Sequence, residues 1–219
     1  MKRSVHQLPR PAIAPSLLAS DFAHLADEIH SAEDAGADLL HVDVMDGHLV
    51  PNITIGPVVV EKVRAVTDML LDVHLMISEP GRYIQAFAEA GADNLTFHGE
   101  VVEDPEAMAA RIHEFGCTAG ITINPDGPMD RVREAAPHVD MVLMMTIYAG
   151  FGGQKFMPEV LPNVRQVREW LDAGQRLEVD GGVYTDTIGQ AAEAGADIFV
   201  AGTAVFRTHD GDYAGAIAQ

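Results

Sequence analysis

The 219-residue chain predicts an α/β fold made of one (β/α)8 barrel, on three observations. The segments AEDAGADLLHVDV (32–44), AEAGADNLTFH (88–98) and AEAGADIFVAG (192–202) repeat one grammar. Each reads as an Ala/Glu-rich helix, a glycine suited to the left-handed C′ position, and a short apolar strand. The AGAD copies begin at 35, 90 and 194, spacings of about two and four units of roughly 26–28 residues, a length that fits a βα unit. Finally, the G-x-G-x-x-G turn that opens many doubly wound sheets is missing after the first strand.

Taken in chain order, strands are predicted near 13–18, 39–45, 70–77, 94–98, 118–123, 139–145, 176–180 and 198–202. Helical patterns fill the gaps, as in FAHLADEIHSAEDA (22–35) and VLPNVRQVREWLDA (160–173), and a final helix is predicted from about 204. Eight strands alternating with eight helices favour closure. Residues 1–219 therefore read as a single barrel domain, with 1–11 as an N-terminal flanking segment expected to fray.

Composition excludes several classes of function. A formal net charge of -19 repels nucleic-acid backbones and anionic membrane surfaces. No apolar run reaches the length of a membrane span, and no continuous apolar stretch follows Lys2 and Arg3, so no secretory signal is read and the cytoplasm is the expected compartment. Cys117 is the only cysteine, and its apolar setting FGCTAGITI predicts a buried, inert thiol. The same acidity means that any anionic ligand must be attracted locally.

The second strand carries the first chemical signal. Strand side chains alternate between faces, so in HVDVM (41–45) the residues His41, Asp43 and Met45 share one face and Val42 and Val44 the other. The valines suit packing under helices, which leaves the polar set facing the barrel interior near its C-terminal mouth, where active sites of this fold sit. A strand rise puts the Cα atoms of His41 and Asp43 about 6.6 Å apart, close enough to converge on one ion. LLDVHLMI (70–77) repeats the pattern with Asp72, His74 and Met76, and LEVDGG (177–182) ends on Asp180. Gathered at one rim, His41, Asp43, His74 and Asp180 form a His2Asp2 set that suits one divalent ion, Zn2+, Fe2+, Co2+ or Mn2+, and the ligand types alone do not choose among them.

Glycine-rich segments follow the last three strands: AGFGGQKF (149–156), DGG (180–182) and AGTA (201–204). Loops after strands 7 and 8 of a barrel commonly cradle phosphate with backbone N–H groups, which glycine lets approach closely. Gly182, Gly202 and Thr203 are thus candidate phosphate donors, and GFGGQKF reads as a loop able to close over a substrate. Backbone dipoles and a bound cation would hold a dianion without an arginine cluster.

Together PSLLASDF (15–22), HVDVMDGHLVPNITIGP (41–57), LDVHLMI (71–77), GFGGQKF (150–156), VDGG (179–182) and AGTAVF (201–206) resemble the ribulose-phosphate 3-epimerase family. The resemblance implies a TIM barrel of the ribulose-phosphate-binding type. It further implies interconversion of D-ribulose 5-phosphate and D-xylulose 5-phosphate through an enediolate. By the same resemblance His41, Asp43, His74 and Asp180 are metal ligands, with Asp43 and Asp180 also the proton-transferring pair. Ser16 matches a substrate-contacting serine, and His74 is counted with it. Gly150, Phe151, Gly152 and Gly153 match the lid, and Gly181, Gly182, Gly202 and Thr203 the phosphate end. Met45, Met76 and Met145 match methionines that line the family's site, where thioethers exclude water without donating hydrogen bonds. His98, on the same face as Thr96, is a further candidate for the pocket wall. A ketose phosphate is the implied partner, and a homo-oligomer the implied assembly.

Two positions depart from the family pattern. Tyr148-Ala149 stands where a pair ending in proline is usual before GFGG, and Thr203 stands where serine is usual. Rival readings are a 3-epimerase of another ketose phosphate such as D-allulose 6-phosphate, and a non-catalytic phosphosugar-binding barrel. A phosphosugar decarboxylase is disfavoured, because LDVHLMI has no lysine to accompany Asp72.

Overall fold

The computed structural model describes residues 2–207 and 211–218. Eight parallel strands alternate with helices: β1 (Ala12–Ala14), β2 (Leu39–Met45), β3 (Leu70–Met76), β4 (Asn94–His98), β5 (Thr118–Ile123), β6 (Met141–Met145), β7 (Arg176–Asp180) and β8 (Ile198–Val200). The helices are α1 (Leu25–Asp34), α2 (Pro57–Val66), α3 (Ile84–Ala90), α4 (Pro105–Glu114), α5 (Met129–Ala135), α6 (Leu161–Trp170), α7 (Ile188–Glu193), α8 (Thr203–Phe206) and α9 (Tyr213–Ala218). The sheet runs β1-β8-β7-β6-β5-β4-β3-β2. Its two ends meet through a parallel bridge between Ser16 and His41 and the bond from His41 N–H to the Pro15 carbonyl. The predicted barrel therefore closes.

Boundaries differ where local chemistry intervenes. The first strand stops at Ala14 rather than 18, because Ser16 accepts the Leu18 N–H and turns the chain into a 3-10 helix at Leu17–Ala19. The helix predicted from 204 divides into α8 and α9.

Strand parity sorts the core into layers. Val42, Val44, Val73, Leu75, Val179 and their equivalents pack outward against helix residues such as Ile29, Val60, Val63, Val164 and Val167. Each such side chain, fully buried, contributes about 1.5–3 kcal/mol. Inward-facing Ala12, Ala14, Leu39, Leu70, Met141 and Ile198 form a separate cluster that fills the lower barrel with Val5.

Gly36, Gly91 and Gly195, the glycines of the three AGAD copies, all take positive φ, as a left-handed helix terminus requires. The aspartate that follows has a second task. Asp38, Asp93 and Asp197 accept the backbone N–H of Ile13, Leu71 and Leu177 on the preceding strand. Asp140 does the same for Ala119 although its copy lacks the AGA. An aspartate before every even strand thus stitches it to the odd strand before it.

The described part of the N-terminal segment, from Lys2 on, is docked against the barrel rather than standing free of it. Val5 is fully buried, and the carbonyls of Val5, Leu8 and Pro9 accept hydrogen bonds from the Arg176 guanidinium. Lys2 Nζ caps the Ala88 and Ala92 carbonyls. The segment closes the floor of the barrel, opposite the mouth.

Candidate active site

Register brings the polar residues together. In the β2–β3 pairing His41 lies beside Asp72, Asp43 beside His74, and Met45 beside Met76. Met145 on β6 pairs with Asp180 on β7. Since β2 and β7 are separated around the barrel only by β8 and β1, Asp180 reaches the same rim as Asp43.

Donor atoms of His41, Asp43, His74 and Asp180 all lie within 4.8 Å of one another. His41 Nε2 and His74 Nδ1 each stand 3.3 Å from Asp43 Oδ1 and 4.0 Å from Asp180 Oδ2. Metal–ligand bonds near 2.0–2.2 Å place tetrahedral ligands about 3.3–3.5 Å apart, so this spacing suits one divalent ion. Both imidazole nitrogens are buried and have no hydrogen-bond partner. Such orphans are costly in a protein interior unless an ion or another group satisfies them.

Outer partners orient the two rings. His41 Nδ1 lies 2.6 Å from Asp72 Oδ2, and His74 Nε2 lies 3.0 Å from His98 Nε2. Asp72 is in turn held by Asn94 Nδ2, and Asn94 Oδ1 accepts from Thr118. Carboxylate–imidazole pairs of this kind fix the tautomer of a metal ligand. Glu178, fully buried, has no hydrogen bond at either oxygen and only a 3.7 Å approach to His41 Nδ1, and burial together with the Asp72 charge pushes its carboxyl up to about 8.

The two aspartates sit in opposite electrostatic settings. Burial works against an ionised Asp43, but the His41 charge and the close approach of both imidazoles outweigh it and hold the carboxyl well below the usual range. Ser16 Oγ donates to its second oxygen at 2.6 Å. Burial and the Asp43 charge instead raise Asp180 to about 7. Burial brings His74 down to about 4 against the pull of the nearby Asp43 carboxylate, with the neighbouring His98 adding to the drop. Carboxyls whose environments push them apart are the usual arrangement of an acid/base pair.

Above this group lies a cavity of about 350 Å³. Ser16, Asp43 and Asp180 form its base, and Met45, Met76 and Met145 its apolar wall. Gly150, Phe151, Gly152 and Gly153 line one side, and Gly181, Gly182, Gly202 and Thr203 another. His41 and His74 are fully buried, with only their donor atoms turned toward Asp43 and Asp180. His98 does not wall the cavity. It is buried with its ring stacked on His74, centroids 5.1 Å apart.

Sequence reasoning missed Arg207, the one cationic side chain among the described residues that line the cavity. Its Nε donates to the Ala19 carbonyl, a contact across 188 residues that no local pattern announces. Glu100 was missed as well, since it follows β4 in a 3-10 turn where periodicity carries no information.

Residues 12–206 match the family model for the ribulose-phosphate 3 epimerase family. A ribulose-phosphate 3-epimerase of Mycobacterium tuberculosis is 54% identical over 203 residues, covering 91% of this chain and 88% of the relative. One from Bacillus subtilis is 50% identical over 202 residues, covering 90% and 93%. Among solved structures, a tryptophan synthase α-subunit from Pyrococcus furiosus aligns with TM-score 0.70 at 14% identity, covering 95% of each chain. KGPDC from Streptococcus mutans aligns with TM-score 0.68 at 18% identity, covering 96% and 94%. At those identities the structural neighbours speak for the barrel alone. No helix among the described residues is long and apolar enough to cross a membrane. The family match spans the barrel from β1 to α8 and contains every residue gathered at its mouth except Arg207, and on this ground the chain belongs to the ribulose-phosphate 3-epimerase family.

Proposed function

We propose that the protein interconverts D-ribulose 5-phosphate and D-xylulose 5-phosphate, with Asp43 and Asp180 exchanging the C3 proton on opposite faces of the sugar. The family supports the reaction. The observation that carries the mechanism is the pair of buried, unpartnered nitrogens, His41 Nε2 and His74 Nδ1, facing both carboxylates. A divalent ion held by His41, Asp43, His74 and Asp180, Zn2+ foremost, would when bound polarise the ketone and stabilise charge developing on the enediolate.

The chain's own residues account for the rest. Inversion next to a ketone requires one group to remove the proton and another to return one from the other face. The ionised setting of Asp43 and the raised setting of Asp180 provide one base and one acid, and the reverse reaction exchanges the roles. Ser16, bonded to Asp43, orients that carboxylate and presents a hydroxyl to the substrate. The three methionines keep water from the planar intermediate without offering it a proton. Backbone N–H groups at Gly181, Gly182, Gly202 and Thr203 take the phosphate, and Arg207 adds local positive charge within an acidic protein.

The test is an assay of Zn2+-loaded protein in D2O with D-ribulose 5-phosphate and, separately, D-allulose 6-phosphate. We expect deuterium at C3, xylulose 5-phosphate as product, and a larger kcat/KM for the pentose. Asp43→Asn and Asp180→Asn should each lower kcat by about 10²–10⁴-fold. Full activity in either variant removes that carboxylate from proton transfer, and a preference for the hexose overturns the substrate assignment.

A further inference from the structure

His74 is the start of a polar chain that leaves the site on the side away from the cavity. Its Nε2 meets His98 Nε2 at 3.0 Å, and His98 Nδ1 approaches Glu100 Oε2 at 3.3 Å. The second oxygen of Glu100 accepts both donors of Asn124, the backbone N–H at 2.7 Å and Nδ2 at 3.2 Å. Asn124 Oδ1 then accepts the N–H of Ala149 at 3.1 Å. Ala149 immediately precedes the glycine-rich loop at 150–153, whose Gly150 carbonyl is held from the other side by Asn52 Nδ2.

The chain has a direction. If His74 Nδ1 serves the ion, the remaining proton of that ring sits on Nε2 and is donated to His98 Nε2. His98 must then carry its own proton on Nδ1, facing Glu100. The nearby His98 ring and the Asn124 N–H outweigh the burial of Glu100 and keep its carboxyl below the ordinary range. A carboxylate therefore stands 3.3 Å from His98 Nδ1, at ion-pair distance though not aligned as a hydrogen bond, and favours the proton on that nitrogen. The two rings lie nearly parallel, 11° between planes, with their Nε2 atoms facing each other. Ala149 contributes something a proline there could not, since proline has no N–H to give. The departure from the family pattern at Tyr148-Ala149 thus supplies the last donor of the network.

We infer that Glu100 and Asn124, neither of which lines the cavity, are positioning residues that hold His74 in its ion-binding tautomer and anchor the base of the 150–153 loop in one network. This rests on His74 being a metal ligand. Glu100 governs the ligand end and Asn124 the loop end, and the two are joined by the Asn124 N–H.

The experiment measures Zn2+ dissociation constants by competition with a chromophoric chelator, and cleavage of the 150–153 loop by a protease of low specificity, for wild type, Glu100→Gln, Glu100→Asp and Asn124→Ala. Glu100→Gln should weaken Zn2+ binding by about 10–100-fold and lower kcat more than it raises KM. Glu100→Asp, which retains the carboxylate, should recover part of the affinity. Asn124→Ala keeps its backbone bond to Glu100 and should leave Zn2+ affinity closer to wild type while speeding loop cleavage and raising KM. Zn2+ binding by Glu100→Gln equal to wild type overturns the tautomer relay, and loop cleavage unchanged in Asn124→Ala overturns the anchor. Wild-type protein that binds no Zn2+ overturns the metal reading itself, an outcome separate from the other two.

Discussion

Gly182 and Gly189 lie seven positions apart under opposite constraints. Gly182 has φ of +65, and a Cβ there would stand 2.7 Å from Phe156 Cα, against backbone that cannot swing aside. Gly189 lies in α7 with ordinary φ, and a Cβ there would meet nothing within 4 Å. Alanine at 182 must push its loop away from the end of the 150–156 segment, distorting the wall proposed to take the phosphate. We expect Gly182→Ala to raise KM for the ketose phosphate by roughly 10–10² and to cost about 1–3 kcal/mol of stability. Gly189→Ala should leave kinetics unchanged and stabilise the helix by about 0.5–1 kcal/mol. Steady-state kinetics and urea denaturation check both, and equal effects at the two positions would refute the close-approach argument. At this scale the sequence is informative because polar residues in phase on a strand violate the apolar alternation around them, which is how His41, Asp43, His74 and Asp180 stand out. Glu100, in the turn after β4, and Arg207, in the turn after α8, belong to no alternation, so their contacts appear only once strands are placed side by side.

Among the elements, the strands carry most of the information and the floor of the barrel the least. AGAD announces a helix end and a strand start, but not that its aspartate stitches each even strand to the odd strand before it, because that bond joins segments about 20 residues apart in sequence. The N-terminal segment was equally opaque. Its composition resembles a loose end, and its order comes from Arg176, which is only 1% exposed. Arg176 binds three carbonyls of residues 5–9 and pairs with Asp197 at 3.0 Å. Removing the guanidinium strands those carbonyls and leaves Asp197 with its partly exposed partners Arg10 and Arg168. Losing one partner of a buried pair typically costs about 3–5 kcal/mol. Arg176→Met, which keeps the apolar stem, should therefore lower stability by that order, with proteolysis releasing residues 1–11 first. The floor lies opposite the mouth, so kcat measured well below the unfolding transition should stay near wild type. A kcat that collapses in a folded variant would contradict this separation of floor and mouth.

For the molecule as a whole, the governing quantity is charge: 33 acidic against 14 basic side chains, a formal net of -19. The two pairs Arg64 with Asp93 and Arg176 with Asp197 are local and partly or wholly buried, so salt screens them weakly. Exposed pairs such as Arg82 with Glu79 contribute little at any ionic strength. The excess of carboxylates acts over longer distances through solvent and opposes compaction, because folding brings like charges closer than they stand in the unfolded chain. Raising ionic strength from 0.01 to 0.1 M shortens the screening length from about 30 to about 10 Å, which removes much of that repulsion while leaving the short pairs intact. The thermal midpoint should therefore rise with NaCl over this range, at constant pH and Zn2+. Choline chloride should reproduce the rise, because screening depends on ionic strength and not on a particular cation. Sucrose at matched osmolality stabilises by exclusion alone and should act additively with the salt. A midpoint that falls with salt would mean that the local pairs, and not the distributed repulsion, dominate the electrostatics of this barrel.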